Sequence, residues 1–181
     1  MARVVILDRD GVINEDSPDY VKSPEEWVPI PGSLEAITRL NQADYRVVIA
    51  TNQSGIGRNR FDIEALNQIH ALMLHQLADM GGTIEAIFFC PHTPRDGCSC
   101  RKPAPGMLLE IASRLRVPIG QTPMVGDSER DLIAAERAGA PPHLVLTGNG
   151  AGTRAKGGLP IGTEVHESLA AFVDQLLNEE S

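Results

Sequence analysis

The sequence predicts an α/β fold, a doubly wound and mainly parallel sheet with helices on both faces. Short β-branched apolar runs alternate with amphipathic periodicities along the chain, the pattern of parallel strands joined by crossover helices. The stretches richest in reactive side chains, Asp8-Arg9-Asp10-Gly11-Val12, Thr51-Asn52-Gln53-Ser54, Arg101-Lys102-Pro103 and Gly126-Asp127-Ser128, fall at or just beyond the ends of such runs. In an open α/β sheet those ends converge on one ligand crevice.

The first run, Arg3-Val4-Val5-Ile6-Leu7, is continuous rather than alternating, as befits a strand covered on both faces. Asp8 ends it, and Gly11 lets the chain turn and approach a ligand without a Cβ clash. Four further strands are expected at Arg46 to Ala50, Ile84 to Phe89, Pro123 to Val125 and His143 to Leu146. Between them, Ile63, Leu66, Ile69, Met73, Leu77 and Met80 recur at helical spacing, with Asp62 suited to the N-cap. Leu108, Ile111, Ala112 and Leu115 form a second stripe, and Leu169, Phe172, Val173, Leu176 and Leu177 a third; all three read as core faces. The stretch from Thr147 to Pro160 is rich in glycine and reads as a mobile loop. Ser54-Gly55-Ile56-Gly57 contains a G-x-G without the third glycine of a dinucleotide fingerprint.

No repeat or linker interrupts the pattern, and the elements consume the chain, so one domain over residues 1–181 without a large cap is expected. Loops must then select the substrate. At 4% aromatics the core has to be aliphatic. A net charge of −8 without a basic stripe argues against nucleic-acid and anionic-membrane surfaces, so an anionic substrate must meet a local positive site. No apolar run approaches the ~20 residues of a membrane span, and the N-terminus reads as a strand instead of a signal peptide. A cytoplasmic location is expected.

The three cysteines all lie between positions 90 and 100, an odd number that suits a metal better than a disulfide framework. Cys90, His92, Cys98 and Cys100 supply a complete tetrahedral set for Zn²⁺, which leaves no position for water and marks a structural site. Because Cys100 directly precedes Arg101 and Lys102, a zinc-rigidified loop over 90–100 would fix where both cations point. His70, His75, His143 and His166 receive no role.

Taken in order, the stretches around Asp8, Thr51, Lys102 and Asp127 resemble the four motifs of the haloacid dehalogenase superfamily of aspartate-nucleophile phosphatases, over about the first 147 residues. The resemblance implies that Asp8 attacks phosphorus, dividing one hydrolysis into two displacements. Asp10 would serve as general acid and then base, giving only its backbone carbonyl to Mg²⁺. The hard ion takes oxygen ligands, here the carboxylates of Asp8 and Asp127. Lys102 and the Thr51 hydroxyl would hold the transferring phosphoryl oxygens. Lys102 would also keep Asp8 ionised, and Asp131 would support the site from behind.

The zinc loop followed by Arg101-Lys102-Pro103-Ala104-Pro105-Gly106-Met107 is similar to the branch of that superfamily that removes the 7-phosphate of D-glycero-D-manno-heptose 1,7-bisphosphate on the way to ADP-heptose and lipopolysaccharide. That likeness implies a small phosphorylated sugar as partner; no obligate protein partner is inferred. It implies a substrate-facing loop with Asp16, Ser17, Asp19 and Tyr20, places Asn52, Gln53 and Ser54 beside the substrate, and gives Arg101 to the distal phosphate. The short interval from His92 to Cys98 also resembles the zinc-containing histidinol-phosphate phosphatases, which stand as the alternative. A zinc-stabilised binding module without catalysis is the reading of another class; it would be expected to lack a member of the catalytic set, and none is missing.

Overall fold

The computed structural model describes residues 3–179. Its sheet has six strands, β1 (Arg3–Leu7), β2 (Tyr45–Asn52), β3 (Ala86–Cys90), β4 (Met124–Gly126), β5 (Pro142–Val145) and β6 (Glu164–His166). All pair in parallel in the order β3-β2-β1-β4-β5-β6. This is the doubly wound order whose direction reverses between β1 and β4, the switch point at which such sheets bind ligands. The Asp8 N–H donates to the Val125 carbonyl at 2.9 Å, locking the two strands together where the chains diverge.

Strand residues alternate between two cores, as a strand buried on both faces requires. Val5, Leu7, Val47 and Ile49 pack on the side of α1 (Ser33–Gln42), α3 (Ile63–Asp79) and α7 (Leu169–Glu179). Val4, Ile6, Val48 and Ala50 pack on the side of α4 (Gly106–Leu115) and α5 (Glu129–Ala138). In α3 the stripe from Leu66 to Leu77 is buried, while Ile63 at its start and Met80 just past its end are exposed. The Asp62 side chain accepts from the Ala65 N–H at 2.9 Å, capping the helix. Two short helices complete the set, α2 (Ser54–Gly57) and α6 (Gly150–Lys156).

Two expectations change. A sixth strand, β6, was not foreseen, because Glu164-Val165-His166 is too short and polar to read as an apolar run. The glycine-rich stretch expected as a mobile loop contains α6 and is bonded to the switch point, as described below. Among the described residues, no helix is long and apolar enough to cross a membrane.

Candidate active site

Three strand ends and the segment before α4 build the site. β1 delivers Asp8, whose buried carboxylate accepts from the Arg9 N–H at 2.8 Å and lies 3.1 Å from Lys102 Nζ. β4 delivers Asp127 across the switch point. Gly11, at φ +83°, is what lets the two meet, because a Cβ there would collide with the Asp127 carboxylate.

Lys102 arrives from the segment before α4 and is fully buried. Its ammonium lies 2.6 Å from Asp131 Oδ1, 3.1 Å from Asp8 Oδ1 and 2.7 Å from the Ala50 carbonyl. The Ala50 contact has hydrogen-bond geometry, and the two carboxylates hold the ammonium as ion pairs. Asp131 lies in the first turn of α5 and also accepts from Ser128, N–H at 3.1 Å and hydroxyl at 2.6 Å. With the Asp131 side chain reaching back to the Ser128 N–H, the two residues form a capping box at the start of α5. Asn52 fixes the Lys102 backbone from both sides, accepting from its N–H at 3.1 Å and donating to its carbonyl at 3.0 Å.

Asp10 is held apart from this cluster. Its Oδ1 accepts from Arg9 at 2.8 Å and Asn14 at 2.9 Å, and its Oδ2 accepts from Gln53 at 2.9 Å. Burial works to raise this carboxyl, but the Arg9 guanidinium and the three donors outweigh it and hold it below its ordinary value. Arg9, itself fully buried, also donates to His70 Nε2 at 3.1 Å and lies over Trp27 at 5.9 Å. Thr51 is fully buried, with its hydroxyl accepting from Gln53 at 3.0 Å.

Carboxylate oxygens of Asp8, Asp127 and Asp131 lie within 4.8 Å of one another. Asp127 Oδ2 accepts from Asn149, N–H at 2.8 Å and Nδ2 at 3.1 Å, yet its buried Oδ1 has no hydrogen-bond partner among the described residues. Burial and the charges of Asp131 and Asp8 push Asp127 up to about 8. Burial and Asp131 likewise push Asp8 up to about 7 against the pull of Lys102. An orphaned carboxylate oxygen among acids with too few cations is the donor set a hard divalent ion satisfies, so the residues fit Mg²⁺.

The Cys/His loop fits its ion equally well. Sγ of Cys90 lies 3.6 Å from Cys98 and 3.3 Å from Cys100, and His92 Nδ1 lies 3.4 Å from both Cys90 and Cys100. Sulfurs on one tetrahedral Zn²⁺ are about 3.8 Å apart at the usual bond length. The Arg101 guanidinium donates to the His92 carbonyl at 3.3 Å, so the loop holds the cation that follows it.

These groups border a cavity of about 270 Å³ lined by Asp8, Asp10, Asp16, Ser17, Tyr20, Asn52, Gln53, Ser54 and three arginines, Arg58, Arg101 and Arg130. Asp19 departs from expectation. It lies off the cavity, paired with Arg60 and 3.1 Å from Lys22 at the surface. Thr51 and Lys102 lie behind the cavity wall rather than on it. Arg58 and Arg130 escaped the sequence reading. Arg130 could have been found, since it sits between Asp127 and Asp131 in the first turn of α5. Burial, then the neighbouring Arg130 and Arg58 charges, pull Arg101 below its ordinary value.

A six-stranded parallel sheet with an acid on each side of its switch point, a buried lysine paired with the first of them and another acid two residues after that first one defines the class of HAD-like hydrolases. An HAD-hydrolase-like family model matches residues 99–172. D-glycero-β-D-manno-heptose-1,7-bisphosphate 7-phosphatase from Bordetella bronchiseptica is 59% identical over 98% of this chain and 99% of its own. The enzyme of that name from Neisseria meningitidis serogroup A is 48% identical over 98% and 96%. The crystal structure of the Bordetella D,D-heptose 1,7-bisphosphate phosphatase, complexed with magnesium and phosphate, superposes with a TM-score of 0.97 over 98% of this chain and 99% of that one. That from Burkholderia thailandensis, 51% identical, gives 0.78 over 97% and 98%. The chain belongs to this family of heptose-bisphosphate phosphatases.

Proposed function

We propose that the protein removes the 7-phosphate of D-glycero-β-D-manno-heptose 1,7-bisphosphate, a step toward the heptose of lipopolysaccharide, with Asp8 as nucleophile. The observation that carries this reading is the cavity that joins Asp8 to three guanidiniums, Arg58, Arg101 and Arg130. One phosphate of a bisphosphate can face the nucleophile while the other meets the arginines, whose planar forks suit phosphate oxygens. Histidinol phosphate, with an ammonium in place of the second phosphate, would face repulsion there.

In the first displacement a carboxylate oxygen of Asp8 bonds to phosphorus, the bond from phosphorus to the C7 oxygen breaks, and Asp10 protonates that oxygen. In the second, Asp10 takes a proton from water as the water oxygen attacks phosphorus and frees Asp8, so the proton count closes over the cycle. Arg9, Asn14 and Gln53 stabilise the ionised Asp10 and make its protonated form a strong donor. Asp8, Asp127 and the Asp10 backbone carbonyl would hold Mg²⁺, which supplies positive charge against the repulsion between carboxylate and phosphate. Lys102, ion-paired with both Asp8 and Asp131, would keep Asp8 charged and aimed. Thr51 braces Gln53, and through it Asp10. The Cys90, His92, Cys98 and Cys100 loop would hold structural Zn²⁺ and fix Arg101.

The test is kcat/KM with Mg²⁺ on both anomers of the heptose bisphosphate and on histidinol phosphate. The β anomer should exceed histidinol phosphate by at least about 100-fold, given what unpaired buried charges cost; a preference for histidinol phosphate would reverse the substrate assignment.

A further inference from the structure

On the outer edge of the sheet, away from the switch point, three donors that the proposed reaction does not use come together. His143 of β5 pairs directly with Glu164 of β6, and His166 lies two residues further along β6. In a parallel ladder these positions share one face of the sheet. His143 Nδ1 and His166 Nε2 point at each other 3.1 Å apart, and a carboxylate oxygen of Glu164 completes a group whose members lie within 4.8 Å of one another.

We propose that His143, Glu164 and His166 form a transition-metal site, distinct from the cysteine loop, that takes Zn²⁺ or a similarly borderline divalent ion through two imidazoles and one carboxylate. The donor chemistry is that of Zn²⁺ rather than Mg²⁺, since imidazole is a poor partner for the harder ion. The spacing fits as well. Two nitrogens at the usual distance from one tetrahedral Zn²⁺ stand about 3.3 Å apart.

The surroundings prepare the site in three ways. Phe172 of α7 packs edge-on against both rings, at 4.9 Å from His143 and 5.3 Å from His166, and fixes their planes. Gln175 of α7 donates to Glu164 Oε2 at 2.9 Å, orienting the carboxylate as outer-sphere partners of metal ligands do. A cavity of about 180 Å³ beside the three side chains leaves a position for water or another small ligand.

Both rings are available to a metal near neutral pH. Burial, then the His166 ring, pulls His143 down to about 4, and burial lowers His166. Only one of the two facing nitrogens carries the hydrogen they share. On binding, that hydrogen moves to the other nitrogen of its own ring, so no net proton is released. The ion would tie the three-residue edge strand β6 to β5, across a short parallel ladder that secures it weakly.

The experiment is zinc content per chain after equilibrium dialysis of the full-length protein against micromolar Zn²⁺ with excess Mg²⁺, read by elemental mass spectrometry. The expected result is one equivalent fewer in His143→Asn and in His166→Asn than in the parent, with phosphatase activity within about twofold as the check on folding. Glu164→Gln, at an exposed edge position, should weaken that equivalent by roughly tenfold or more. Equal zinc content in a folded His143→Asn variant, or an unchanged Zn²⁺ affinity in Glu164→Gln, would overturn the proposal. Because the readout is a difference in bound zinc, it stands apart from the substrate assignment.

Discussion

Lys102 Nζ lies closer to Asp131 Oδ1, at 2.6 Å, than to Asp8 Oδ1, at 3.1 Å, and all three side chains are buried. Asp131 is thus the main anchor of the cation that serves Asp8. Burial opposes charge on Lys102, and the two carboxylates overcome it and hold the ammonium above its ordinary pKa. Asp131→Asn should lower stability by about 3 kcal/mol, the scale for removing one partner of a buried pair. It should lower kcat roughly 100-fold with little change in KM, since Asp131 does not line the cavity. Urea unfolding and steady-state kinetics check both.

Asn149 holds Asp127 Oδ2 with two donors and reaches Asp16 Oδ2 at 2.8 Å with the same amide. Only the Nδ2 contacts depend on its side chain. Asn149→Ala should therefore raise the Mg²⁺ concentration for half-maximal activity by about tenfold, at the lower end of the effect of groups that orient metal ligands. A magnesium titration of turnover measures this; an unchanged requirement would remove Asn149 from the support of Asp127.

The arginines make a substrate-dependent prediction. Arg130→Ala should raise KM for the bisphosphate by about tenfold or more while leaving a heptose 7-monophosphate nearly unaffected, because the guanidinium would have lost only its contact with the second phosphate. Equal losses on both substrates would place Arg130 at the reacting phosphate instead.

His70 ties stability to pH. Burial, then the adjacent Arg9 charge, lowers its folded pKa to about 4 from an ordinary value of 6.5. Between those values the unfolded chain binds the proton that the folded chain refuses. Stability is therefore full above about pH 6.5, falls as pH drops, and stops falling from this source near pH 4, a loss of about 3 kcal/mol. His70→Gln keeps an acceptor for Arg9 and removes the titration, so its urea midpoint should decline less than the parent's from pH 6.5 to 4.

Much of this arrangement was legible because local chemistry carried it. The continuous run of Val4 to Leu7 marks a strand buried on both faces, and three of the four motifs fall where parallel strands end. What stayed hidden depends on long-range contact. Glu164 to His166 carries no apolar pattern, and only its place beside β5 makes it a strand. Asn149 meets Asp127 from 22 residues away, so nothing near it in sequence distinguishes it from the other polar residues of a glycine-rich stretch. Arg9 looks like a solvent-facing charge between two acids, yet it is buried because Asp10, His70 and Trp27 together satisfy it. Asp19 failed in the opposite sense, since a loop acid beside Lys22 and Arg60 has nearer partners than the substrate.

The central claim is that Asp8 becomes phosphorylated. Rapid acid quenching of a single turnover, with substrate labelled in its 7-phosphate and the protein digested, tests it most directly. The account predicts transient label on the peptide that contains Asp8 and none in Asp8→Asn, which should also lose turnover by at least about 1,000-fold. Label on another residue, or full turnover by Asp8→Asn, would contradict it.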